Sequence, residues 1–181
     1  MQTSSTISLS SAKRFLKDPA GANAHTLQWA TTITDDAARV LCGYHGDLIL
    51  TGLSQLSDTA AEYLSEHEGC LALDNLSELS DNAARSLAKH RGPLNLHGIL
   101  KLSDEAAEAF SGHQYNLWLT GLADSSTGKI TGLSKAGLTA LKKHPSLLLD
   151  FTSLIGCYPP GIGQSIIDEW IKEAKPVSGS A

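Results

Sequence analysis

The chain has 181 residues, 41% of them hydrophobic and 18% charged, with a formal charge of -5. That is the make-up of a globular domain large enough to bury its own core. It excludes a broad phosphate-binding surface, which needs clustered Lys and Arg; the 14 basic residues are scattered, so nucleic acid is not an expected partner.

The amino terminus "MQTSSTISLSSAKRFL" has no apolar stretch of signal-peptide type, and no apolar run reaches the roughly 18 residues that suggest a membrane span. A cytoplasmic location with reduced thiols is the expectation. The Ser/Thr-rich start also suits an effector secreted without a cleaved signal. Cys42, Cys70 and Cys157 are far apart and form neither a zinc spacing nor a disulfide framework. No cofactor or metal is expected.

The first predicted element is a short amphipathic helix, Ser11 to Lys17, stopped by Asp18-Pro19. Residues 1–25 are read as an amino-terminal cap. A repeat then begins. Asp35, Asp58, Asp81 and Asp104 stand 23 residues apart, as do the Ala pairs at 37–38, 60–61, 83–84 and 106–107, and Leu41, Leu64, Leu87 and Phe110. A further copy, Leu133 to His144, follows an insertion near residues 123–132, and another starts at Leu147.

Each unit has two halves. The first reads Leu-x-Leu, as at Leu48 and Leu50, Leu71 and Leu73, Leu94 and Leu96, Leu117 and Leu119, Leu147 and Leu149. Alternation puts both leucines on one face of a short strand. The second half has helical spacing: Ala60, Ala61, Leu64 and His67 form one stripe. Ser57, Ser80 and Ser103 stand as N-caps, and the Asp after each places negative charge at the positive end of the helix. Gly46, Gly69 and Gly92 close their units, where a left-handed residue is expected.

One unit cannot bury its own apolar face, so the units must stack. Leu48, Leu50, Leu53, Leu56, Ala61 and Leu64 are the predicted core of one coil. The expected fold is α/β, a right-handed solenoid of short parallel strands on the concave side and helices on the convex side. Ile162, Ile166, Ile167, Trp170 and Ile171 form an apolar stripe after Pro159-Pro160-Gly161, which predicts a capping helix over 153–174, followed by a disordered tail at 175–181.

The segments "LILTGLSQLS" and "LALDNLSELS" resemble the strand segment of the leucine-rich repeat, and "LSDEAAEAF" resembles the helical half of bacterial arrays of that type. Leu53, Leu76, Ile99 and Leu122 stand where the family has Asn or Cys. The likeness covers residues 26–152. It implies a module that binds a protein or peptide, and it implies no catalytic residues.

Three features are candidates for chemistry. His67, His90, His113 and His144 share one position of the unit, with Tyr44 in the first copy. Neighbouring helix axes lie about 8–10 Å apart, too far for a column of rings to converge on one metal ion, so these are read as structural groups at helix ends, which bond a free carbonyl or carry a positive charge that the helix dipole favours. "STGK" lies in the insertion, but Ala123 and Ile130 stand where a phosphate loop needs Gly and Ser or Thr. The third feature is the set of strand residues between the leucines. One column reads Thr26, Ile49, Ala72, Asn95, Trp118 and Leu148, and the next reads Gln28, Thr51, Asp74, His97, Thr120 and Asp150.

Ile49, Thr51, Asp74, Asn95, His97, Trp118, Thr120 and Asp150 are therefore the predicted partner-binding residues, with Trp118 as anchor. Two other readings stand beside this one: a structural spacer in a larger assembly, and a small-molecule or hydrolytic site around Asp74 and His97. The second lacks a nucleophile in the same row; Thr51 and Thr120 are the flanking hydroxyls, and Cys70 lies a column away.

Overall fold

The computed structural model describes residues 5–20, 27–123 and 130–148. Strands and helices alternate: β1 (Thr6–Ile7), α1 (Leu9–Lys17), β2 (Thr32–Ile33), α2 (Asp35–Leu41), β3 (Leu48–Ile49), α3 (Asp58–Ser65), β4 (Leu71–Ala72), α4 (Asp81–Leu87), β5 (Leu94–Asn95), α5 (Asp104–Ser111), β6 (Leu117–Trp118), α6 (Lys135–Leu141) and β7 (Leu147–Leu148). A 3-10 turn, Thr120–Leu122, follows β6. None of these helices is long and apolar enough to cross a membrane.

β3 to β7 form one parallel sheet in chain order, and β1 pairs in parallel with β2. The register is that of the repeat: Leu48 faces Leu71, Leu71 faces Leu94, Leu94 faces Leu117, and Leu117 faces Leu147. Consecutive helices from α2 to α6 pack on one another, and α1 packs on α2. The result is α/β with alternating short parallel strands and helices, an arrangement compatible with a repeat solenoid. The insertion does not disturb it. A bridge between Ala123 and Ile130 closes the base of the loop, and β7 still meets β6 in register.

Two-residue strands hold because each coil bonds to the next on both sides of the leucines. Leu71 and Leu73 donate to Pro93 and Asn95, and Leu94 and Leu96 donate to Asn116 and Trp118, all at 2.9 Å. The inward leucines Leu48, Leu50, Leu71, Leu73, Leu94 and Leu96 are fully buried, as are the Ala pairs and Leu41, Leu64 and Leu87. Leu53 is buried as predicted, while Leu56 is only partly covered at the edge of the same core.

The caps follow the repeat and add a link across it. Ser57, Ser80, Ser103 and Ser134 accept from the backbone N–H three residues on, at 3.0–3.1 Å. Each hydroxyl also donates to the first-turn Asp of the preceding helix: Ser57 to Asp35, Ser80 to Asp58, Ser103 to Asp81 and Ser134 to Asp104. One side chain therefore caps its own helix and ties it to its neighbour. The Ser80 hydroxyl, with the Asn82 amide, holds the Asp58 carboxyl below the usual carboxylate range. Ser80→Ala removes the acceptor for the Ala83 N–H and one donor to Asp58. A loss of about 1 kcal/mol is expected, read as a lower urea midpoint with an unchanged denaturant slope.

Of the glycines that close the units, Gly69 has the expected positive φ, at 140°, and is alone in this among the described residues; Gly46 and Gly92 do not. The C-caps Cys42, Glu66, Ala88, Gly112 and Lys142 are all right-handed. Glycine at 92 answers to proximity instead, and glycine at 69 to proximity as well as to its φ. A Cβ on Gly69 would lie 2.9 Å from the Gly46 oxygen, and one on Gly92 would overlap the Gly69 oxygen and lie 3.0 Å from His90 Nε2.

At the amino-terminal end, the amphipathic helix runs two residues longer than predicted, from Leu9. Ser8 caps it, and Ala12 and Phe15 are buried. Its C-cap is Asp18, where the sequence places the stop. The predicted helix over 153–174, the tail and Cys157 lie outside the described residues.

Candidate functional site: the outer row of the strands

With the leucines turned inward, the residues between them form the outer face of the sheet. Ile49, Ala72, Asn95 and Trp118 stand side by side in register. Two positions further along each coil come Thr51, Asp74, His97 and Thr120. The repeat thus brings seven of the eight predicted partner-binding residues onto neighbouring coils. Asp150 lies outside the described residues.

Their exposure is uneven. Ile49 is 36% exposed, but its neighbour Ala72 is only 2% exposed, so the two do not form one exposed apolar surface. Ala72 is too short to rise above the residues beside it. Trp118, Asn95, Thr51, Asp74 and His97 are half-buried. Thr120 is 1% exposed, contrary to its place among the predicted contact residues. It opens the 3-10 turn, and its hydroxyl bonds His97 Nδ1 at 2.8 Å. It holds His97 in place.

Two oxygens stand out. Asp74 Oδ1 and Asn95 Oδ1 are enclosed and have no hydrogen-bond partner. Burial pushes the Asp74 carboxyl up, and the charge and backbone N–H of His97 oppose that rise. A buried acceptor without a donor costs about 1–3 kcal/mol, and native folds keep few of them. Two on neighbouring coils therefore mark the place in this face where polar atoms lack donors.

Three nucleophilic groups in and near the row are constrained: the Thr120 hydroxyl and the thiols of Cys70 and Cys42. The Thr120 hydroxyl is shut from solvent and engaged by His97. Burial, and next the negative Asp47 and Asp74, push the Cys70 thiol up; burial and then Glu66 do the same to Cys42. A raised thiol pKa leaves little nucleophilic thiolate. Among the described residues no group of three His, Cys, Asp or Glu side chains is placed to hold a metal.

Sequence reasoning missed one residue of this region. Trp29 is 76% exposed, and its backbone lies against Gly52, three residues beyond Ile49. The repeat did contain the signal. Trp29 occupies the position held by Gly52, Asn75, Gly98 and Gly121 in later coils. At the three glycines the position is pressed against the preceding coil: a Cβ on Gly52 would meet the Gln28 oxygen at 2.5 Å, and one on Gly98 or Gly121 would overlap the oxygen of Asp74 or His97. Of these four, Asn75 alone carries a side chain there, and it is exposed, as the larger Trp29 is.

The histidines lie inside the stack. His67, His90, His113 and His144 are all buried. His90 Nε2 donates to the Gly69 oxygen at 2.9 Å and His113 Nδ1 to the Ala88 oxygen at 3.3 Å. The carbonyl role expected of them holds for these two, with the carbonyl supplied by the preceding coil. The positive charge also considered for them does not suit the site, because burial pushes all four pKa values down, that of His144 to about 4.

No family model, curated protein or solved structure matches the chain.

Proposed function

We propose that this chain is a right-handed, leucine-rich-repeat-like solenoid with helical caps. In this reading it binds a protein or peptide on the concave strand face and performs no catalysis. The observation that carries the reading is the outer row itself: half-exposed Trp118 and exposed Ile49, with the half-exposed polar side chains of Asn95, Asp74 and His97 between them. Large apolar side chains supply burial, and the polar side chains between them supply direction. The matching partner is a segment that offers N–H donors beside an apolar side chain. An extended peptide does so with its own backbone.

A displayed library of random peptides, selected on the full chain, provides ligands for the test. Trp118→Ala is expected to weaken the selected peptides at least 30-fold, since a central Trp contributes about 2–4 kcal/mol at interfaces. Asp74→Ala is expected to weaken them as well. Circular dichroism checks that both variants fold. Equal affinity for wild type and both folded variants would remove the strand face as the binding surface.

A further inference from the structure

The buried histidines form a continuous ladder. Ring centroids are 6.0 Å apart between His67 and His90, 6.4 Å between His90 and His113, and 5.7 Å between His113 and His144. The rings are within 26° of parallel at every step. Tyr44 stacks on the His67 end at 6.4 Å, and Phe15 meets Tyr44 edge-on at 5.0 Å. Tyr115 leans on His113 from the side. One aromatic column thus joins five successive coils to α1.

At His90, His113 and His144 a single ring nitrogen is hydrogen-bonded. His90 uses Nε2–H on the Gly69 oxygen, and its Nδ1 is buried without a partner. His113 uses Nδ1–H on the Ala88 oxygen, and its Nε2 is buried without a partner. His144 Nδ1 accepts the Ser146 N–H at 3.0 Å, immediately before β7. Neither nitrogen of His67 has a partner; the backbone of Cys42, Tyr44 and Gly46 lies close enough to favour a charge there without forming a bond of good geometry. A second proton on His90 or His113 would sit on a buried nitrogen that makes no hydrogen bond of good geometry; the backbone of Ser65 and Gly92 lies close enough to favour a charge there, as at His67, but burial outweighs it. On His144 a second proton would evict the N–H of Ser146, which leads into β7. A charge on any ring would also face the next ring about 6 Å away, where a second positive charge is disfavoured.

We propose that this ladder is an acid-sensitive latch, which joins the coils while its imidazoles are neutral and parts them when it is protonated. The charged and titratable groups that bear on it are few. Asp47 acts on His67, His67 and His113 act on His90, and His113 acts on His144. Tyr44 and Tyr115 contact the column as neutral rings. Asp47 favours charge at one end, but burial opposes it at every ring.

The sign follows from the lowered folded values. The ladder's stability is fully present above the unfolded histidine value, about 6.5. It is lost as pH falls from there toward the folded values. Asp58, held low by Ser80 and Asn82, protonates below this range. Asp74, pushed up by burial, has the opposite sense and stabilises the fold on acidification.

Urea unfolding of the full chain, followed by circular dichroism from pH 7.5 to 5.0, tests the proposal. One group that protonates only on unfolding changes the unfolding constant by at most about tenfold per pH unit. The latch requires more than tenfold per unit below pH 6.5. The double variant His90→Gln and His113→Gln is expected to flatten that dependence. A wild-type change of tenfold or less would overturn the proposal, as would an equally steep change in a folded double variant. If the double variant does not fold, imidazole NMR of the wild type decides. The four ladder rings should stay neutral until the fold opens, then change together. Individual titration of those rings near pH 6.5 in the folded chain would refute the latch.

Discussion

Phe110→Ala is expected to lower the stability of the chain by about 3–5 kcal/mol, a large part of the roughly 5–15 kcal/mol that holds a typical domain together. Phe110 is fully buried on α5. It occupies the position that Leu41, Leu64, Leu87 and Leu141 fill in other coils, and all of these are fully buried too. Alanine would leave a cavity between α5 and its neighbours α4 and α6, which pack on it from both sides. Each coil of a stack is supported only by adjacent coils, so the damage falls on two interfaces. Thermal unfolding should shift down by roughly 6–20 °C, from about 2–4 °C per kcal/mol for a chain of this length. Phe110→Leu restores the residue of the other copies and should cost less than about 1.5 kcal/mol. An alanine variant that melts within 2 °C of wild type, roughly the shift expected for 1 kcal/mol or less, would mean that the cavity collapses or that the helices are not packed as described.

Gly92→Ala should also destabilise strongly, through the backbone. The added Cβ would overlap the Gly69 carbonyl oxygen and press on His90 Nε2 at 3.0 Å. That oxygen is the acceptor of the His90 bond, so the coils cannot part without weakening the ladder. Overpacking of this kind costs about 1–3 kcal/mol. Here the obstacle is main chain, which yields less than a side chain, and the upper part of that range is expected. Gly43→Ala is the control, since its Cβ would find only the Val40 oxygen, at 3.8 Å. The equivalent positions already hold Glu66 and Lys89. Urea midpoints should separate the two variants by more than 1 kcal/mol, the lower end of the overpacking cost. Equal midpoints would show that the coils at Gly92 have slack.

Both expectations begin in the repeat, and the repeat is where the sequence speaks most clearly. A spacing of 23 residues carried by Leu, Ala, Ser and Asp determines the alternation of strand and helix, the inward face of each, the N-caps and the register. All are local or periodic properties, set by the strand and helix periods and by capping chemistry. Leu71 facing Leu94 follows from the spacing alone.

Only the tertiary structure decided what one coil does to the next. The Ser hydroxyl that caps its own helix also reaches the Asp of the preceding one, a contact visible only once the helices lie side by side. Gly92 is small because a carbonyl of the preceding coil passes beneath it, although its place after a helix suggests a left-handed turn. Thr120 is closed off by its 3-10 turn and by His97, and Ala72 sinks between its neighbours, so a row that reads as exposed in the sequence is exposed only in part. Trp29 stands clear where the coils of Gly52, Gly98 and Gly121 have almost no room. The recurring histidine marks a structural position in the sequence; only stacking turns four such positions into a buried column of rings. Periodicity specifies which way a side chain faces within its own coil. Burial, missing hydrogen-bond partners and pKa depend on distances between coils, which periodicity does not contain.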